Sequence, residues 1–183
     1  GHVRVYDRDS SNTTVEPIGW TQVGSDIDGK IYSVTSYGNT SSYSDELGYS
    51  VAMSSDGSRI AIGGPGAPPD GTLPSPYYGF ALNAGVVRVY DYKIPTSNEW
   101  SNGNVIKGSD TTQQSGEYYW TQLGGDIFGE NPNDRSGFSV AMNSDGTRIA
   151  IGAIKNDGNG NRSGHVRVYE YDATKTTEIS SQF

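Results

Sequence analysis

The sequence predicts an all-β protein, and three observations lead to that prediction. Short segments rich in Val, Ile, Tyr and Trp, which favour strands, recur along the 183 residues. They are separated by stretches rich in Gly, Ser, Asp and Asn, which favour turns. Glycine accounts for 25 residues, but the 13 tyrosines and 3 tryptophans are too many for a disordered chain. The chain is therefore expected to fold into strands joined by turns.

The first strand-like segment reads G-H-V-R-V-Y at residues 1–6. It returns as G-V-V-R-V-Y at 85–90 and again as G-H-V-R-V-Y at 164–169. A second segment, W-T-Q-V-G at 20–24, returns as W-T-Q-L-G at 120–124. Self-similarity at a long period is the sequence signature of a repeat architecture. Each segment is thus expected to hold the same place in successive copies of one structural unit.

The longest repeated segment predicts two strands joined by a tight turn. Residues 48–63 read G-Y-S-V-A-M-S-S-D-G-S-R-I-A-I-G, and residues 137–152 read G-F-S-V-A-M-N-S-D-G-T-R-I-A-I-G. Asp-Gly between two hydrophobic runs is a strong signal for a β-hairpin. Neither face of these strands is strongly polar, which predicts that each sheet is covered on both faces.

Four antiparallel strands per unit, packed on neighbours through both faces, describe a blade of a β-propeller. Residues 1–24 are expected to form the last two strands of one blade, 25–47 an interblade linker, 48–124 a complete four-stranded blade, 125–136 a second linker, and 137–183 the first three strands of a further blade. The segment then holds about two and a quarter blades, an incomplete ring, because closure needs roughly four to eight. Further blades of the same chain or neighbouring subunits are expected to complete it.

The repeated strings also carry a family resemblance. Residues 137–153, G-F-S-V-A-M-N-S-D-G-T-R-I-A-I-G-A, precede a loop rich in Gly and Asn and then G-H-V-R-V-Y. This pattern resembles the FG-GAP repeats of integrin-α-type β-propellers, and it is similar to long surface repeat proteins of marine microbes and protists. WD40 repeats share the first two strands, but their unit is about 40 to 45 residues, half of the spacing seen here. The resemblance implies a propeller fold and, less specifically, adhesion, sugar binding or scaffolding.

Charge and composition exclude several classes of protein. The 13 basic and 21 acidic residues give a net charge of −8, which argues against a nucleic-acid partner because phosphate contacts need clustered Lys and Arg. No apolar run approaches the roughly 18 to 20 residues of a membrane span, and no signal peptide is recognisable. The chain has no cysteine, so disulfides and thiol catalysis are excluded.

No grouping of nucleophile, base and metal ligands predicts an enzyme, so no catalytic residue is proposed. The two histidines, His2 and His165, stand where the middle copy of the hexapeptide has Val86. Carboxylates recur at both ends of the linkers, and they are expected either to cap turns or to bind a cation or a sugar. These carboxylates are Asp26, Asp45, Asp126 and Asp134, and their expected interblade partners are Arg4, Arg59, Arg88, Arg148 and Arg167.

The loop N-D-G-N-G-N-R-S-G at 156–164 offers a further candidate. Asp157, Asn159 and Asn161 occupy alternate positions, as oxygen ligands do at the start of a calcium loop. The distal bidentate Glu is missing, so the alternative is a plain polar loop. Calcium is thus a possible cofactor. FG-GAP loops that bind calcium carry D-x-D-x-D-G between the first two strands, whereas the turns at 54–58 and 143–147 hold one Asp each.

Surface residues suggest an extracellular setting. Asn12, Asn39 and Asn161 begin N-glycosylation sequons in predicted loops. Trp100, Tyr77 and Tyr78 lie in insertions of the middle unit and are candidates for a binding surface. We therefore expect a non-enzymatic extracellular propeller segment that acts in adhesion or as part of a surface filament or appendage. The alternative is a lectin-like carbohydrate-binding module whose ring is completed by oligomerisation.

Overall fold

The chain folds almost entirely into strands, as its composition predicts. The computed structural model describes residues 1–36, 39–69 and 83–174, and the sheets within these ranges are antiparallel. The strands are β1 (His2–Val3), β2 (Tyr6–Arg8), β3 (Trp20–Gln22), β4 (Ile27–Asp28), β5 (Ile31–Ser36), β6 (Asn39–Ser44), β7 (Ser50–Met53), β8 (Arg59–Gly64), β9 (Val86–Lys93), β10 (Tyr119–Gln122), β11 (Ile127–Phe128), β12 (Ser136–Met142), β13 (Arg148–Ala153) and β14 (His165–Glu170). The helix of the described ranges is α1 (Ser97–Ser101). It is not long and apolar enough to cross a membrane.

The middle sheet runs in the order β10-β9-β8-β7, and the short β11 also pairs with β9. Strands β7 and β8 are joined by the predicted Asp-Gly turn, in which the Ser54 N–H donates to the Arg59 carbonyl at 2.9 Å. Gly57 has a φ of +73°, a left-handed conformation that favours glycine. The predicted hairpin is therefore confirmed.

The C-terminal sheet has the order β12-β13-β14, which corresponds to β7, β8 and β9 of the middle sheet. In its turn, the Asn143 N–H donates to the Arg148 carbonyl at 3.1 Å. The register of β12 against β13 shifts between Ser136 and Ser139, which marks an irregularity at the start of β12. The two long repeated strings thus fold into equivalent hairpins.

The N-terminal segment forms short strands rather than one continuous strand. The predicted strand at 1–6 is divided into β1, which pairs with β4, and β2, which pairs with β3. The predicted linker at 25–47 contains a hairpin, β5 and β6, in which Tyr32 lies opposite Tyr43. Helix α1 begins with a capping box, because Thr96 and Glu99 bond each other's backbone N–H groups.

Hydrophobic clusters lie on both faces of the middle sheet. On one face, Ile60, Ile62 and Trp120 pack with the N-terminal Val3 and Val5. On the other face, the middle sheet meets the C-terminal sheet through Val87, Val89, Leu123, Ile149 and Ile151. Both faces of the middle sheet are therefore covered over β8, β9 and β10, as the sequence predicts, whereas Val51 and Met53 of β7 are exposed.

Within the described residues, coverage of both faces does not extend to every sheet. Ser139 and Ala141 of β12 are exposed, because nothing in the described residues packs on that face. Coverage of this face by a further blade stays a prediction. None of the sheets described in these ranges closes on itself. The propeller ring and its number of blades remain predictions.

Candidate functional site

A group of charged side chains surrounds the buried Arg88 in the middle of β9. We call Arg88, Asp45, Asp126 and Lys30 the Arg88 cluster. The Arg88 guanidinium donates from Nη1 to Oδ2 of Asp45 at 2.7 Å and from Nε to Oδ1 of Asp126 at 2.9 Å. Arg88 is 1% exposed and Asp45 is 0% exposed. Charges removed from water to this extent persist only when they are paired and hydrogen-bonded.

The linkers hold the two carboxylates against Arg88. Asp45 accepts the backbone N–H of Lys30 at 2.9 Å and that of Leu47 at 3.1 Å. Asp126 accepts the Gln122 carboxamide at 2.9 Å and the Lys30 ammonium at 3.0 Å. Lys30 therefore bonds both acids, one through its backbone and one through its side chain.

Neighbouring charges keep Arg88 and Asp126 ionised. Burial acts to raise the pKa of Asp126, but the hydrogen bond and charge of Arg88 outweigh it and hold that pKa below its usual value. Burial acts to lower the pKa of Arg88, and Asp126 and Asp45 raise it above its usual value. A general acid or base needs a pKa near the working pH. The Arg88–Asp126 pair is therefore built to stay charged rather than to exchange protons.

The N-terminal copy of the motif repeats half of this arrangement at the surface. Arg4 donates from Nε to both oxygens of Asp26 at 2.9 and 2.8 Å, and Gln22 donates to Asp26 at 2.8 Å. The hydrogen bonds from Arg4 and then Gln22 lower the pKa of Asp26 to about 2. The expected pairs of Arg4 and Arg88 with linker carboxylates are thus present.

The C-terminal copy departs from the expected pairing. Arg167 bonds Glu130 at 2.7 Å, whereas Asp134 accepts the Asn156 carboxamide at 2.8 Å. Glu130 stands where the preceding repeat has Lys30. The acid at this position attracts Arg167 directly, so the predicted pairing of Arg167 with a linker aspartate is wrong.

Two other arginines were also expected to pair with linker carboxylates, and they do not. Arg59 bonds Asp91 of the adjacent strand at 2.6 Å and reaches across to the Gly146 carbonyl at 2.9 Å. Arg148 pairs with Glu170 at 3.3 Å on the exposed surface. Both acids lie directly opposite the arginines in the strand register, so they are nearer than the linker.

The hairpin turns join the middle and C-terminal sheets through hydrogen bonds. Ser55 donates from its backbone N–H and its hydroxyl to the Ser144 carbonyl at 2.8 and 2.9 Å. Ser50 donates to the Gly137 carbonyl at 2.8 Å. Equivalent strands of successive repeats are therefore held in one relative position.

The turn residues do not fit a calcium site. In the first turn, Asp56 accepts bonds from the Ser54 hydroxyl at 2.6 Å and from Ser58, and these bonds lower its pKa to about 2. In the second turn, Asp145 accepts from Thr147 in the same way. One carboxylate per turn, already used within the turn, does not offer the six to eight oxygens that Ca²⁺ prefers.

The loop at 156–164 places its candidate calcium ligands at the surface. Asp157, Asn159 and Asn161 are exposed, and Asp157 accepts the Arg162 backbone N–H at 2.6 Å. Across the described parts of the chain, no group of three or more His, Cys, Asp and Glu side chains could hold a metal ion. Calcium binding by this loop stays a prediction.

The three sequons differ in what the structure gives for their side chains. Asn12 donates its amide to the carbonyls of Val15, Pro17 and Trp20 at 2.9, 3.3 and 2.7 Å, so attachment of a sugar to that nitrogen would disturb these bonds. Asn161 is exposed. Asn39 begins β6, and its side chain lies outside the described part of the structure. Occupancy of all three sites stays a prediction.

The predicted binding surface is described only in part. Trp100 lies on α1, packs edge-on against Tyr119 with ring centroids 5.2 Å apart, and has the Lys107 ammonium 4.7 Å from its ring centroid. Tyr77 and Tyr78 lie outside the described residues. Trp100 is therefore a half-buried packing residue with one face toward a cation.

A polar pocket that the sequence did not indicate lies beside β10. It has a volume of about 650 Å³. Tyr118 is exposed in it and packs on Tyr92 with the two rings tilted and their centroids 5.6 Å apart. Its polar lining includes Asp110, Gln114 and Glu117. These residues belong to an insertion with no counterpart in the other repeats, so repeat comparison gave no signal for them.

Comparison with known families agrees with the repeated strings. Residues 129–169 match the family model described as the FG-GAP repeat. The match covers β12, β13 and β14, the strands on which the resemblance was first noted. Comparisons with curated proteins and with solved structures found no match.

Proposed function

Because residues 129–169 match the FG-GAP repeat, we propose that the chain is a non-enzymatic segment of an extracellular β-propeller. In this proposal it acts in adhesion or as part of a surface filament or appendage. FG-GAP repeats are generally non-enzymatic and typically occur in extracellular or surface proteins. The net charge of −8 favours solubility over association with nucleic acid.

The proposal rests on one observation: the carboxylates of the Arg88 cluster are already bonded to groups within the fold. Its carboxylates are occupied by a guanidinium, an ammonium and backbone N–H groups. A comparable carboxylate–arginine pair recurs in the N-terminal repeat at Arg4 and Asp26. Side chains that recur with the repeat, and whose hydrogen-bonding groups find their partners within the fold, serve to join structural units. This supports a structural role for the most chemically distinctive residues of the described chain.

Surface labelling tests the proposed setting. Antibodies raised against the purified chain are applied to intact and to permeabilised cells of the source organism. Labelling of intact cells is expected. Labelling that appears only after permeabilisation would overturn the extracellular part of the proposal. For the role, beads coated with the chain are expected to adhere to those cells or to one another, and beads coated with the Arg88→Met variant serve as the misassembled control.

A second candidate function is carbohydrate binding, and the tyrosine-lined pocket is the observation that favours it. Tyr118 is 51% exposed and offers an aromatic face for the apolar side of a sugar ring. Asp110, Gln114 and Glu117 supply acceptors and donors for hydroxyl groups nearby. Few other described aromatic side chains combine such exposure with adjacent polar groups in one pocket.

A glycan array with three variants tests this second candidate. Tyr118→Ala is expected to abolish binding of any glycan that the wild-type chain retains. Tyr49→Ala is the matched control, since Tyr49 is 52% exposed and also packs on one aromatic neighbour, but lies away from the pocket. Trp100→Ala tests the surface predicted from sequence. Equal glycan binding by wild type and Tyr118→Ala would exclude the pocket as the sugar site.

A further inference from the structure

We propose that copies of this chain associate head to tail, with residues 164–169 of one copy replacing residues 1–6 of the next. The partner is a second copy of the chain. The proposal rests on the proposed function, because it treats the chain as a series of repeat units. It adds the surfaces that meet and the charges that select them.

The first step is the identity of the two segments. Residues 1–6 and 164–169 both read G-H-V-R-V-Y. In the N-terminal copy this segment lies beside β3 and β4, and its Arg4 bonds Asp26. A segment of the same sequence is expected to fit the same place with the same bonds.

The second step is that the N-terminal segment pairs over shorter strands than its C-terminal copy. Its strands β1 and β2 comprise two and three residues. Strand β14 comprises six residues and is already aligned on β13 along its length. A strand that is already ordered on a formed sheet gives up little further conformational entropy on docking. The C-terminal copy can therefore compete for the place.

The third step is the exposure of β14. Val166 and Val168 are 67% and 68% exposed, whereas Val87 and Val89, at the same positions of the middle repeat, are 0% and 1% exposed. The middle pair is covered by the next sheet. Docking on a second copy would cover Val166 and Val168 in the same way, because they would lie where Val3 and Val5 meet that copy's middle sheet.

The fourth step is a cleft of matching shape at the other end of the chain. A cleft of about 620 Å³ separates Val3 and Val5 from Val51 and Met53 of β7. In the next repeat, the counterparts of Val51 and Met53 are Val140 and Met142, and they pack against the middle sheet beside Ala61 of β8. The cleft therefore lies where the first two strands of a repeat belong. Strands β12 and β13 of the incoming copy would occupy it.

The fifth step is charge. Arg167 uses Nη1 and Nη2 for Tyr169 and Glu130. Within the described residues its Nε, the atom by which Arg4 and Arg88 bond aspartates, has no hydrogen-bond partner. Asp26 of the next copy would supply that partner, as it does for Arg4. The contact is complementary, an arginine against a carboxylate.

The strand order of the described residues fits this exchange. Strands β12 to β14 form a three-stranded sheet, and β3 of the next copy would be its fourth strand, as β10 is in the middle sheet. The contact is heterologous, so it continues either into a closed ring or into a filament.

Sedimentation velocity and light scattering over a wide concentration range test the proposal on the purified chain. Species with masses of two or more times 19.6 kDa are expected to increase with concentration. Arg167→Asp and Asp26→Arg should each abolish assembly, because each places like charges at the contact. A mixture of the two variants should assemble again with the two variants alternating, since both kinds of contact between them pair opposite charges. The double variant should assemble again.

Arg162→Asp is the matched control, since it makes the same charge change in the exposed loop at 156–164 and should assemble as wild type does. Circular dichroism confirms that each variant is folded. Hydrogen exchange should rise at residues 1–8 and fall at 165–170 on assembly. A chain that stays monomeric, or assembly that survives both single charge changes, would overturn the proposal. Either result leaves the surface-labelling test of the proposed function unaffected.

Discussion

The Arg88 cluster leads to the sharpest prediction, which concerns replacement of Arg88 by Met. Methionine keeps the length and the apolar character of the arginine stem but removes the charge and all five donors. Asp45, which is 0% exposed, would keep its two backbone bonds and lose its cation. Asp126 would keep Gln122 and Lys30. The uncompensated burial of the Asp45 charge is therefore the main consequence.

The expected cost follows from that burial. Removing one partner of a buried ion pair destabilises a protein by about 3 to 5 kcal/mol, because it leaves a charge out of water without compensation. For a chain of this size, about 1 kcal/mol lowers the melting temperature by roughly 2 to 4 °C. Arg88→Met is thus expected to lower the melting temperature by about 6 to 20 °C. Total stabilities are about 5 to 15 kcal/mol, so this is a large fraction.

Urea unfolding followed by circular dichroism measures the free energy of unfolding. Arg148→Met is the matched control, because Arg148 also pairs across strands with a carboxylate but both side chains are more than 60% exposed, at 61% and 65%. Exposed pairs contribute about 0 to 1 kcal/mol. Adding Asp45→Asn to Arg88→Met should restore part of the loss, since it removes the buried charge. If Arg88→Met costs no more than Arg148→Met, the cluster does not stabilise the fold as argued.

Three further predictions concern a glycine, a tryptophan and an aspartate. A methyl group at Gly85 would overlap a backbone oxygen of the C-terminal sheet, whereas at Gly116, with a similar positive φ, nothing lies within 4 Å. Gly85→Ala should therefore lower the free energy of unfolding in urea by more than about 3 kcal/mol, and Gly116→Ala by only about 1 to 2 kcal/mol. Equal losses would contradict this prediction. Trp120 is buried and donates to a backbone carbonyl at 2.8 Å, so Trp120→Phe should cost about 1 to 3 kcal/mol while the same change at exposed Trp20 stays within about 0.5. Asp26 has a pKa of about 2 against an ordinary 3.8, so its stabilising effect is present above about pH 4 and lost as pH falls toward 2. Melting curves should therefore show Asp26→Asn less stable than wild type at pH 5, with a much smaller gap at pH 2, where about half of the Asp26 carboxylates are protonated. A gap as large at pH 2 as at pH 5 would refute the assignment.

The sequence predicted those parts of the fold that repeat. The Asp-Gly hairpins follow from local turn chemistry, and each recurs with the same bonds because the same letters surround it. The bonds of Arg4 to Asp26 and of Arg88 to Asp126 were predictable because both partners recur together at a fixed place in the unit. Recurrence of this kind carries information about contacts between segments that are distant along the chain.

Other contacts depend on residues that break the repeat, and these could not be predicted. Lys30 and Glu130 occupy one repeat position with opposite charge, and this reversal redirects Arg167 away from a linker aspartate. This reversal of charge was the signal available in the sequence, since an acid in place of a lysine needs a different, basic partner. The hairpin of β5 and β6 and the pocket beside Tyr118 lie in segments without counterparts. No internal comparison could have indicated them.

The Arg88 cluster also explains how thin hydrophobic clusters hold the sheets in a single arrangement. Hydrophobic packing is not directional, so Val87 and Val89 would tolerate small slides against the neighbouring sheet. A one-residue slip of β9 would carry Arg88 to the opposite face. That slip would leave Asp45 buried without a cation, at the cost already worked out for Arg88→Met. The charged cluster thus excludes alternative registers that the apolar clusters alone would allow. A repeat protein has many similar strands that could pair out of register, so it has particular need of a buried ion pair in this role.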